Sequence, residues 1–142
     1  MPARVDERDY AILRILRRNA RTPYTVIARE LGISEVAVRK RILKLLRSGV
    51  IRRFTIDYSV PGELKAAILV RTLPQTRVPD VSRRILGIPG VEAIYEVTGE
   101  HDLLVLVSAR SVDDINDYVD KIRSTPGVSS THTLIALRTW TP

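Results

Sequence analysis

Five cations crowd a single short segment: Arg39, Lys40, Arg41, Lys44 and Arg47. Placed on a helix, Val38, Ile42 and Leu45 form one apolar stripe, while Glu35, Val36, Arg39, Lys40 and Arg47 lie away from it. Guanidinium and ammonium groups near the start of such a helix suit two kinds of acceptor, phosphate oxygens and the N7 and O6 edge of guanine. Ser34 stands where it N-caps the helix, and the unpaired N–H groups of the first turn offer a second hold on phosphate. The candidate contacts to a nucleic acid are therefore Ser34, Glu35, Val36, Arg39, Lys40, Arg41 and Lys44. A run of charge describes a solvated face equally well unless the neighbouring residues present it outward.

The preceding residues do so. Thr22 suits the N-cap of an earlier helix with Pro23 at its first position, where a missing N–H costs nothing. Ile27, Ala28 and Leu31 recur at helical spacing, Gly32 turns the chain with φ > 0, and Ile33 fills the corner. Two short helices about a Gly-Ile-Ser turn, the second basic on one side, have the layout of a helix-turn-helix that reads DNA. Upstream, Asp6 and Asp9 have the spacing of a capping box, and Val5 and Tyr10 that of a hydrophobic staple. Ile12, Leu13 and Leu16 then make a buried stripe, with Arg14, Arg17 and Arg18 mostly outside it. Gly49 ends this three-helix unit as a C′ residue. Residues 50–59 interleave polar and apolar side chains as a strand, either a wing or a tether, with Arg52 and Arg53 near phosphate or simply in water.

Charge is distributed unevenly along the 142 residues. Residues 1–60 hold 14 Lys+Arg against 6 Asp+Glu, a surplus of 8, whereas residues 61–142 hold 9 against 10. The excess cation lies wholly in the half with the basic helix, which points to a polyanion partner for that half and another task for the rest. Apolar residues at 44% and charged residues at 27% are those of a soluble globular chain. The apolar runs are too short to span a membrane and no signal peptide opens the sequence, which fits a cytoplasmic protein. Without cysteine there is no disulfide framework and no thiolate nucleophile or ligand. His101 and His132, the two histidines, fall towards one end of the sheet described next; lacking thiolates or a clear carboxylate spacing, they make a weak metal site and read as surface or hydrogen-bonded histidines.

Pro61 and Gly62 mark a boundary, after which the sequence repeats itself. Apolar strand-like segments at 66–73 and 102–109 are each followed by a helical stretch, 79–87 and 112–124. Each helix ends in the same punctuation, Pro89-Gly90-Val91 and Pro126-Gly127-Val128, and runs into another strand, 91–97 and 129–140. A strand–helix–strand unit used twice about a short turn at 98–101 is the split βαβ, or ferredoxin-like, arrangement. Two helices cover one face of such a sheet. Alternation of Ile68, Val70 and Thr72, or of Leu104, Leu106 and Ser108, leaves an apolar second face and predicts a dimer by sheet-on-sheet packing.

Taken together, these residues resemble the Lrp/AsnC, or feast/famine, family of transcription regulators. The likeness is carried by residues 6–13, by Ile27-Ala28-Arg29-Glu30-Leu31-Gly32-Ile33-Ser34, by Val38-Arg39-Lys40-Arg41-Ile42 and by Gly49-Val50-Ile51. In the second half it is carried by Gly99-Glu100-His101-Asp102-Leu103 and Pro126-Gly127-Val128. The resemblance implies an α+β chain: a winged-helix-like helix-turn-helix domain (1–49), a strand linker (50–62) and a βαββαβ effector and dimerisation domain (63–142). It implies assembly beyond the dimer, to tetramers or octamers, and an amino-acid effector in place of any cofactor. It also implies effector contacts from the turn Gly99, Glu100, His101 and Asp102, and from the fourth strand at Thr133, Leu134, Ile135 and Ala136. Glycine there lets backbone N–H groups approach a carboxylate, and Asp102 suits an α-ammonium group. Leu43 departs from the family pattern, which has a polar residue there, and points to a protein contact.

The function implied is sequence-specific DNA binding by a regulator that responds to a small effector and is not an enzyme. Two other functions remain open from sequence. One is an enzyme like the siroheme decarboxylases, which resemble this family in both domains; two histidines and an intact basic helix speak against it. The other is an architectural protein that coats double-stranded DNA through charge alone.

Overall fold

Reciprocal hydrogen bonds start the first helix, α1 (Glu7–Arg18). The Asp6 carboxylate accepts from the Asp9 N–H at 2.9 Å, and the Asp9 carboxylate accepts from the Asp6 N–H at 3.1 Å. The computed structural model describes residues 3–142. They divide into two units, one ending at Tyr58 and one spanning Ser59–Pro142.

In the first unit α2 (Tyr24–Leu31) follows a turn closed by Thr22, whose hydroxyl donates to the Asn19 carbonyl at 2.7 Å. That bond corrects the expected cap: the Thr22 side chain is used backwards along the chain, and Pro23 takes the N-cap position without a side-chain bond. Gly32 ends α2 in the left-handed region at φ 64°. The third helix, α3 (Glu35–Arg47), is capped by the Ser34 hydroxyl, which accepts from the Ala37 N–H at 3.1 Å. Ile12, Leu16, Ile27, Ala28, Val38 and Ile42 close the core, with Ile15, Tyr24, Leu31, Ile33 and Ile51 at its margin. Each large aliphatic side chain buried this way contributes roughly 1.5–3 kcal/mol.

The strand expected over 50–59 does not form in the single chain. The period-two pattern is intact, with Phe54, Ile56, Tyr58 and Val60 all exposed. A strand, however, needs a neighbour to take its N–H and C=O groups, and the described residues supply none.

The second unit runs β1 (Leu64–Thr72), α4 (Val78–Leu86), β2 (Val91–Glu96), β3 (Leu103–Ala109), α5 (Val112–Arg123) and β4 (Val128–Ile135). Its antiparallel sheet has the order β2-β3-β1-β4. Ala66, Ile68, Val70, Leu103, Val105 and Val107 face Val81 and Ile85 of α4 and Ile115 and Ile122 of α5 in one core. The alternate residues of the strands face away from the helices. Ala67, Leu69, Leu104 and Leu106 are half-buried there, and Tyr95 and Leu134 are exposed. The last strand ends at Ile135, shorter than the sequence suggested. Ala136 N–H still donates to the Lys65 carbonyl at 2.8 Å, but β1 begins at Leu64 and offers nothing further to pair with. Beyond that point Leu137 is 95% and Trp140 85% exposed.

The repeated Pro-Gly punctuation has a steric cause. Gly127 adopts φ 96°, and a Cβ there would lie 2.7 Å from Thr76 Cγ2 and 2.9 Å from Val81 Cγ2. Gly90, at φ 90°, lies against the Tyr118 ring. Both turns therefore need glycine for conformation and for space. Gly127→Ala should destabilise this unit by about 2 kcal/mol, from left-handed strain plus displacement of Val81. Chemical denaturation of the two proteins measures the difference.

Candidate nucleic-acid interface and ligand turn

The outward side of α3 carries Glu35, Val36, Arg39, Lys40 and Arg47, all exposed, with Val36 at 62%. Arg39 is braced rather than free. Its Nη2 lies 3.5 Å from Glu35 Oε1 one turn earlier, and its guanidinium carbon stands 5.8 Å from the centre of the Tyr24 ring. Tyr24 on α2 thus helps to aim an α3 cation, a contact that linear spacing did not reveal. Lys40 makes no ion pair among the described residues. Leu43 is partly exposed on the same helix.

Arg41, expected among the cations offered to a duplex, is turned the other way. Its Nη1 donates to both Asp6 oxygens, at 2.9 and 2.8 Å, and to Asp9 Oδ1 at 3.0 Å. Only 24% of its side chain is exposed. Lys44 lies between the two groups, half-exposed, with Nζ 3.5 Å from Asp9 Oδ2. The reason is Asp9, whose carboxylate is 0% exposed. A buried carboxylate without a cation would be strongly destabilising, and Arg41 borders the apolar stripe on the side facing α1. Arg41 in turn holds the Asp6 carboxyl down at about 2, the Asp9 N–H adding to the effect, and both carboxylates push the Arg41 guanidinium up.

The turn between β2 and β3 is organised by Asp102. Its Oδ2 accepts from the Thr72 N–H at 2.7 Å and from the Thr72 hydroxyl at 2.9 Å, while its own N–H donates to the Val70 carbonyl at 2.9 Å. The Thr72 N–H, with the hydroxyl second, lowers the Asp102 carboxyl below its ordinary range. One oxygen expected to meet a ligand ammonium is therefore committed to β1, and Oδ1 is the one left. Gly99 sits at φ 111° with open space where a Cβ would be. Arg71 Nε donates to the Glu100 carbonyl at 2.9 Å, and the His101 and His132 rings lie 6.4 Å apart.

Within one chain the turn approaches β4 through the His101 and His132 rings, whereas Ile135 and Ala136 lie further along β1. Asp102 bonds β1 at Val70 and Thr72, whereas Thr133 pairs with Ile68 and Ile135 with Ala66. Four residues of strand from Val70 to Ala66 span roughly 13 Å. His132 and Leu134 point to the open face of the sheet, Thr133 is half-buried towards the helices, and Ala136 lies past the strand. Thr72 and Arg71 were missed because nothing in the turn motif names its partners on β1.

Residues 65–142 match the family described as the Lrp/AsnC ligand binding domain, and residues 5–46 match the AsnC-type helix-turn-helix domain. The transcriptional regulator LysM of Saccharolobus solfataricus is 51% identical over 138 residues, covering 97% of each chain. LysM of Sulfurisphaera tokodaii is 54% identical over 138 residues, covering 97% of this chain and 99% of its own. Among solved structures, a feast or famine regulatory protein from M. tuberculosis complexed with L-methionine superposes with a TM-score of 0.83. It is 28% identical, with 96% of this chain and 95% of that one covered.

The Asp6–Arg41 contact has a defined pH signature. Because the folded carboxyl titrates at about 2 against 3.8 ordinarily, its contribution is complete above about pH 4 and is lost as pH falls towards 2. Asp6→Asn, which keeps a capping acceptor, should flatten the acid limb of the stability curve in that window, as followed by denaturant melts at each pH.

Proposed function

The chain belongs to the Lrp/AsnC family of transcription regulators, and on that premise we propose that it binds operator DNA as an assembly of copies tuned by an amino-acid ligand. The observation that carries the DNA reading is the outward face of α3. Arg39 is aimed by Glu35 and Tyr24, Lys40 has no ion-pair partner among the described residues, and Ser34 leaves the first turn open to phosphate. Val36 adds an exposed apolar group of the kind that suits a thymine methyl. The matched relatives are regulators rather than enzymes, so the decarboxylase alternative is set aside.

Two features support association of copies. The helix-free face of the sheet is apolar, and the alternating apolar residues from Phe54 to Val60 have backbone groups that a second linker would satisfy. A second copy also answers the distance of the β2–β3 turn from Ile135 and Ala136, since a ligand held by one copy's turn is then walled by another's β4. At that turn the open left-handed Gly99 admits a carboxylate to backbone N–H groups, and Asp102 Oδ1 faces an ammonium group. The likeness to a protein complexed with L-methionine favours an α-amino acid as the class of effector.

Two measurements test these readings. Arg39→Ala with Lys40→Ala should weaken binding to an operator selected from random duplexes by about 30-fold or more, with the fold unchanged by circular dichroism. Equal wild-type affinity for every duplex would instead indicate an architectural protein. In a thermal-shift screen of the twenty amino acids, at least one should raise the melting temperature of the native protein, and Gly99→Thr should remove that shift.

A further inference from the structure

Asp9 is the one buried charged side chain among the described residues, and it stands at the junction of α1 and α3. Three donors converge on its carboxylate: the Asp6 N–H, Arg41 Nη1 and Lys44 Nζ. Asp6, the cap of α1, binds the same Arg41 nitrogen through both oxygens. The α1 N-terminus and the middle of α3 are thus tied by a four-residue polar clamp.

The rest of α3 is held by Val38, Ile42 and Leu45. Aliphatic packing fixes how far a helix stands from its support, but it is not directional and tolerates rotation about the helix axis. Hydrogen bonds to two fixed carboxylates are directional. At 3.6 residues per turn, neighbouring side chains are about 100° apart, so tying Arg41 to α1 sets the bearing of Lys40 and Arg39.

We propose that Arg41 is a positioning residue: through Asp6 and Asp9 it sets the rotation of α3, and it gives up contact with DNA to do so. The inference rests on the DNA-binding reading above. It divides the α3 cations into two classes. Arg39, Lys40 and Arg47 face outward, whereas Arg41, and Lys44 in part, neutralise α1 and attract phosphate little. The acidic pair also limits indiscriminate binding, because each freed cation would displace counterions from any duplex.

The salt dependence of binding separates positioning from contact. Full-length wild type, Arg41→Met, Arg41→Lys and Asp6→Asn/Asp9→Asn are titrated against the selected operator and a scrambled duplex at several salt concentrations. Helix content and melting temperature are checked at the assay temperature. Arg41→Met should bind the operator about 10-fold more weakly, with the log–log salt slope unchanged and scrambled binding unaffected. Arg41→Lys should restore part of the loss. The double Asp→Asn variant, in which asparagine keeps the cap of α1, should steepen the slope by about one to two and narrow the preference for operator. A slope lowered by about one in Arg41→Met, with both duplexes weakened equally, would show a direct phosphate contact and overturn the proposal. So would unchanged operator affinity. If Arg41→Met does not fold, the double variant decides: an unchanged slope there overturns the proposal equally. Failure of wild type to prefer any sequence would sink the regulator reading instead, independently of Arg41.

Discussion

A carboxylate taken out of water must find cations, and the Asp9 carboxylate finds them on the neighbouring helix. That requirement organises the first unit. It draws Arg41 out of the basic run, pulls Lys44 part of the way, and leaves Arg39 and Lys40 facing outward. Asp6 and Asp9 serve twice, since the carboxylates that take the N–H groups of α1 also take the guanidinium of α3.

In the second unit the same economy appears at Asp102. One oxygen locks the β2–β3 turn to Thr72, which leaves Gly99 in an open left-handed turn and the other oxygen unspent. Helices cover one face of the sheet with a continuous aliphatic core, and the second face keeps half-buried leucines with exposed Tyr95 and Leu134.

Local chemistry was legible in the sequence where a residue acts on near neighbours. The Asp6–Asp9 capping box, the left-handed Gly32, the Ser34 cap and the doubled strand–helix–strand pattern all depend on spacings of a few residues or on repetition. Thr22 misled because its hydroxyl can accept from a helix N–H ahead of it or donate to a carbonyl behind it, and the Asn19 carbonyl won. Arg41 misled because helical periodicity places it at the edge of the buried stripe without saying which carboxylates lie across from it, some 35 residues earlier in the chain. The end of β4 was set by where β1 begins, and the linker by the absence of a partner; neither fact resides in the segment concerned.

The strand order β2-β3-β1-β4 puts the last strand of each repeat at a margin of the sheet. Those margins are hydrophilic: β2 carries Glu92 and Glu96, and β4 carries Ser129, Ser130, Thr131, His132 and Thr133. Another strand approaching sideways must dehydrate many of these groups, whereas the broad surface presents leucines among fewer polar side chains. Growth into an endless ribbon through these edges is thereby discouraged, and a sheet of this kind favours contacts through its face.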